Sequence, residues 1–256
     1  MLAAELAGRT REGSRLQAIA REHFQRAVAV ASSGGAGGAD RTNTNTNTNA
    51  NANAARSAAK ASLRFAAFLD DELASREAAE ARRGAASEPR GGVFAADAGM
   101  LVRHALLALV GGGGRGALAK ARHLIPRVLA LLRGDALESK PTTGSTSGTS
   151  PSLEFAALAG RVPSWLFLEW TPQMISLLDA PGAGGDAVLE PLEALAAAYP
   201  SAVHADFHLS RRGFSKIGTN RSAKKLDATL VSPARDAFVR AVDLLDFPLQ
   251  RLAWHR

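Results

Sequence analysis

Apolar positions recur along most of this chain at the three- and four-residue spacing of an α-helix, and nowhere at the alternating spacing of a half-buried strand. A first helix is predicted over residues 2–31, weakened in its first half by Gly8 and Gly13. A second is predicted from Ala54 to Arg82, where Leu63, Phe65, Phe68, Leu69 and Leu73 mark an apolar stripe and Gly84 follows a basic end. Val93–Val110 reads as a third, closed by the glycines at 111–114. Ala117–Arg133 reads as a fourth, with Leu118, Leu124, Ile125, Val128, Leu129 and Leu132 apolar and Gly134 as its cap.

The stretch from Leu153 to Leu178 carries two apolar faces, one with Trp165, Leu168, Ile175 and Leu178, the other with Leu166, Trp170, Met174 and Leu177. A helix apolar on two sides is expected between neighbours on both. Pro163 is placed to start it and Pro172 to kink it. Val188, Leu192, Leu195, Ala196 and Tyr199 mark the next helix, which Pro200 is expected to end. A final pair covers 222–231 and 233–245. The expected structural core of this C-terminal part is Trp165, Trp170, Met174, Ile175, Leu178 and Tyr199.

Two tracts interrupt the pattern. Residues 32–53 alternate Thr and Asn, and residues 140–152 are rich in Thr, Ser, Gly and Pro. Neither has the apolar content to bury, so both are expected to be disordered insertions. The predicted organisation is therefore an N-terminal helix at 1–31, helical repeats at 54–139 and a second set at 153–256, separated by these tracts. Helix after antiparallel helix with short joints implies an all-α chain and an α-solenoid of helical hairpins, TPR- or HEAT-like in kind. No clean repeat period appears, which leaves a compact bundle open.

With 256 residues, 5% aromatic content and no cysteine, the chain excludes an all-β fold, a disulfide scaffold and a thiolate metal site. No apolar run reaches the roughly 20 residues of a bilayer span, so a soluble intracellular protein without a membrane partner is expected. The net charge of +7 is distributed in blocks: +8 over residues 1–133, −7 over 134–210 and +6 over 211–256. Arg outnumbers Lys by 25 to 6, so the bare charge says little about nucleic acid. Position matters more. Arg211, Arg212, Lys216, Arg221, Lys224 and Lys225 follow one another with no acid between them, a basic loop for contact with an anion or a partner.

Candidate chemistry is thin. The Gly111–Gly116 run lacks the Lys-Ser or Lys-Thr closure and the preceding strand of a phosphate loop. His204 and His208 have metal-binding spacing, but Ala205 stands where a metalloprotease has Glu, and Pro200 argues against a helix there. Nucleophile-elbow and kinase motifs are missing. Asp70-Asp71 and Glu190 with Glu193 read as solvated helix faces. The sequence thus assigns no catalytic residue, no cofactor and no metal, and the chain is not expected to be an enzyme.

The segment Val162-Pro163-Ser164-Trp165-Leu166-Phe167-Leu168-Glu169-Trp170-Thr171-Pro172-Gln173-Met174-Ile175-Ser176-Leu177-Leu178-Asp179 resembles the FAT region of the phosphatidylinositol 3-kinase-related protein kinases. Leu124–Leu129 upstream and Ala198–Val203, Ser210–Phe214 and Phe238–Trp254 downstream extend the likeness to about residues 93–254. It is greatest toward the branch that repairs double-strand breaks by end joining.

The resemblance implies a helical cradle without catalytic residues, whose partner is the kinase domain of its parent. Through that parent it implies DNA-repair proteins or DNA as further partners, and a nuclear location. No kinase domain follows within this sequence, which is therefore expected to be one slice of a longer protein. The rival expectation is a free-standing solenoid adaptor that binds an acidic protein or nucleic acid through the basic loop at 211–225.

Overall fold

A computed structural model describes residues 15, 18–30, 44–83, 92–112, 114–138, 150–179, 183–211 and 221–245. Among these residues every regular element is helical and no strand occurs. In chain order the helices are α1 (18–30), α2 (Thr44–Arg83), α3 (Gly92–Val110), α4 (Arg115–Arg122), α5 (Ile125–Glu138) and α6 (Pro151–Ala159). A 3-10 helix over Ser164–Trp170 leads directly into α7 (Thr171–Leu178). Then follow α8 (Ala183–Ala198), α9 (Pro200–Arg211), α10 (Arg221–Leu230) and α11 (Pro233–Leu245).

Several boundaries differ from the sequence expectation, and proline explains most of them. The predicted helix over 117–133 is two helices. Pro126 has no N–H to donate and its ring would strike the carbonyl of Arg122, so α4 stops there and α5 starts afresh, with the Leu124 N–H bonding the Ala121 carbonyl at 3.1 Å. Gly134 caps nothing, since α5 runs through it to Glu138. Pro172 does not kink a long helix; it occupies the first turn of α7, where a missing N–H costs nothing. Pro200 begins α9 where it was expected only to end α8. Pro151 starts α6, so the last two residues of the second low-complexity tract are helical. The Thr-Asn tract is corrected likewise. Residues 44–53 form the first turns of α2, because each residue added to an existing Ala-rich helix gains a backbone hydrogen bond without a new nucleation cost. The predicted helical residues before 15, and most of both tracts, lie outside the described residues.

The chain divides into two compact units, one from Met1–Val128 with Ser145–Glu154, the other from Leu129–Gly144 with Phe155–Arg256. In the first, α2 and α3 pack along each other, and α4 packs against both. Its core holds Phe65, Leu69, Leu73, Leu101 and Leu106, all fully buried. Phe24 of α1 stacks on Phe65 at 5.8 Å and meets Phe68 at 5.4 Å. In the second unit, α7 packs on α8, α9 and the 3-10 helix, while α10 packs on α8 and α9 and α11 on α9. Phe155, Phe167, Leu132, Leu166, Met174, Ile175 and Leu177 are its largest fully buried side chains.

Candidate functional site

The segment that carries the family resemblance is built around the 3-10 helix and α7. Along α7, Thr171, Met174, Ile175, Leu177 and Leu178 are buried, which is the two-faced burial expected of a helix between neighbours. The Thr171 hydroxyl donates to the Leu168 carbonyl at 2.9 Å and stitches the junction where 3-10 geometry passes into α-helix. Ser176 accepts from Arg133 of α5 at 2.7 Å and donates to the Gln173 carbonyl. These contacts fix the segment's place in the packing of the unit.

Of the six side chains expected in the core, Met174, Ile175 and Leu178 are buried. Trp170 is half-buried, with its indole N–H enclosed and without a partner among the described residues. Trp165 and Tyr199 correct the expectation, since they are 44% and 38% exposed. Three residues per turn in the 3-10 stretch rotate Trp165 away from the face that the α-helical period assigned it. Tyr199 stands at the joint between α8 and α9, outside either helix. Leu153, Leu209, Val231 and Phe238 are exposed as well.

The basic stretch is only partly a loop. Arg211 ends α9, while Arg221, Lys224 and Lys225 belong to α10; Arg212 and Lys216 lie outside the described residues. Lys225 pairs with Glu193 of α8 at 2.8 Å, and Ser222 donates to Asp186 of α8 at 2.8 Å. These contacts fix α10 on α8, so part of the basic character serves the unit itself. Lys224 is exposed.

Because α9 is a helix, His204 and His208 fall one turn apart on one face, their rings 6.1 Å apart. His204 is buried, and its Nε2 donates to Asp236 of α11 at 2.9 Å, which holds that carboxyl below its ordinary value. Phe207, Asp227 and Leu230 complete a small cavity of about 90 Å³. Burial raises the neighbouring Asp206 carboxyl. Among the described residues no group of three or more His, Cys, Asp or Glu side chains is placed to hold a metal ion. The cluster ties α9 to α11.

Sequence reading missed the most charged interior feature. In the first unit, Arg21 of α1 donates to Asp97 at 2.7 Å and to Glu72 at 2.6 Å, and Arg76 donates to Asp97 at 2.7 Å. Glu72 and Asp97 are buried. Nearby, Arg127 bridges Asp70 at 2.9 Å and Glu77 at 3.0 Å, so Asp70 is not simply a solvated acid. The one local signal was the i, i+4 spacing of Glu72 and Arg76; Arg21 and Asp97 are remote in sequence.

Among the described residues no helix is long and apolar enough to cross a membrane. No protein-family profile matches the chain, and no solved structure does. A curated protein does: the chain is 32% identical over 98 residues to the DNA-dependent protein kinase catalytic subunit of Dictyostelium discoideum. The match covers 38% of this chain and 2% of that protein. A chain that is helical among its described residues thus shares a stretch of distant similarity with one part of a very long kinase subunit.

Proposed function

We propose that this chain is a non-catalytic, FAT-type helical scaffold segment of a DNA-dependent protein kinase-like member of the phosphatidylinositol 3-kinase-related kinases. Its helical pairs stack as an α-solenoid, and its work is mechanical: to brace and regulate the kinase domain of its parent. That parent acts in the nucleus on double-strand breaks, by non-homologous end joining. The observation that carries this reading is the 32% identity to the Dictyostelium discoideum subunit. The packing of 162–179 supports it, because the residues that resemble the FAT region are those that bury α7 between its neighbours. So do Trp165, Leu153 and Phe238, large apolar side chains left exposed in a way that suits coverage by further protein.

The test is the size of the native polypeptide, read on a whole-cell blot with an antibody against residues 153–210. A band many times larger than 26.7 kDa supports the scaffold reading. A band near that mass overturns it.

A further inference from the structure

Between α2 and α4 of the first unit runs an open groove of about 460 Å³. Lys60, Leu63, Arg64 and Ala67 line it from α2, at the i, i+3, i+4, i+7 spacing that defines one helical face. Gly116, Ala117 and Lys120 line it from α4, and Leu124 from the turn before α5. The floor is aliphatic and the rim is cationic: Lys60, Arg64 and Lys120 are exposed, and no acid is among the lining residues. Elsewhere in this unit Arg21, Arg76, Arg103 and Arg127 all reach a carboxylate. The three rim cations make no ion pair among the described residues. Lys60 and Arg64 also repel each other across one helical turn, so the rim carries three cations with no countercharge among its own lining residues.

We propose that this groove is a docking site for an acidic amphipathic helix of a partner protein. A helix can lay an apolar stripe on the Leu63 and Leu124 floor while Glu or Asp residues on both flanks meet the cations, the arrangement by which helix-in-groove partners and charge-flanked coiled coils recognise each other. The seven-residue step from Lys60 to Ala67 spans about 10 Å of helix axis, which seats two turns of a partner. A nucleic acid suits the groove poorly, because its lining offers no aromatic platform for a base and a phosphate backbone cannot bury aliphatic surface. A membrane surface suits it poorly too, since Leu63 and Leu124 are only partly exposed while the cations around them are exposed. The inference stands apart from the scaffold role and requires no kinase domain.

The test uses the full 256-residue chain and a fluorescein-labelled synthetic peptide of about 12 residues, three helical turns. The peptide carries Leu at three- and four-residue spacing and Glu along both flanks, and binding is read by anisotropy in about 50 mM salt to limit screening. Saturable binding is expected. The triple variant Lys60→Glu, Arg64→Glu, Lys120→Glu should weaken it about tenfold or more. So should Gly116→Leu, whose β-carbon has open space within 4 Å and whose longer side chain would occupy the groove. Lys224→Glu, on α10, should leave binding unchanged, and circular dichroism should show all variants as helical as the parent. Absence of peptide binding overturns the proposal, as does binding indifferent to the groove variants. Equal binding of a scrambled peptide without an apolar face, or of a short DNA duplex that these variants abolish, likewise assigns the rim to bare electrostatics and overturns it.

Discussion

Gly111 lies so close to Ala59 that a β-carbon added to it would stand 2.6 Å from the Ala59 β-carbon and 3.2 Å from the Ala55 carbonyl oxygen. The close approach sets how α2 and the end of α3 meet. The glycine run at 111–114 therefore holds two different requirements: space at Gly111, and a positive φ at Gly112 and Gly114, which are at 54° and 92°. Gly111→Ala is expected to destabilise the chain by about 1–3 kcal/mol through overpacking. In a double-mutant cycle in urea, Ala59→Gly should recover about 1 kcal/mol of that loss beyond the sum of the single effects. Additive effects would show that the contact does not constrain the helices.

His104 gives the first unit a pH dependence. Its ring is buried edge-on to Phe65 at 4.8 Å, and its Nδ1 has no hydrogen-bond partner among the described residues. Burial, aided by the charge of Arg103, pulls its pKa from 6.5 down to about 4. Between those values the unfolded chain takes up a proton that the folded chain refuses. The stability owed to a neutral His104 is thus complete above pH 6.5 and is lost as pH falls to about 4, by about 3 kcal/mol in all. Urea melts across that range should show the decline, and His104→Leu should flatten it. An unchanged slope in the variant would assign the acid sensitivity to other groups.

Charge at the surface and charge in the interior should behave differently. Asp97 is buried between Arg21 and Arg76, so Asp97→Ala leaves cations facing Glu72 alone and is expected to cost about 3 kcal/mol. Arg26 pairs with Glu22 on the exposed side of α1, and Arg26→Ala should cost less than about 0.5 kcal/mol. Comparable losses measured by chemical denaturation would mean that the buried cluster is as solvated as the surface pair.

In the second unit the contrast lies between Met174 and Trp165. Met174 is fully enclosed, and Met174→Ala should cost about 2–5 kcal/mol. Trp165 is 44% exposed, so Trp165→Ala should cost distinctly less in the isolated chain. If the scaffold reading holds, the same Trp165 change should lower activity or stability of the full-length kinase that contains the segment. A large loss from Trp165→Ala in the isolated chain would place that ring in the core after all.

Periodicity alone determined that this protein is helical, and it located α3, α10 and α11 closely, because a 3.6-residue apolar repeat is a local property that helix formation reads directly. It also marked Met174, Ile175 and Leu178 as interior. Prolines were harder to read: Pro126, Pro172 and Pro200 each permit an ending, a kink or a beginning, and which occurs depends on whether the following residues have something to pack against. Only the tertiary structure decided that the 3-10 turn exposes Trp165, that Arg21 crosses to Glu72 and Asp97, that His204 meets Asp236, and that Lys60, Arg64 and Lys120 converge around an apolar groove. The last three join residues distant in sequence, and their meeting depends on helix packing that no local pattern encodes.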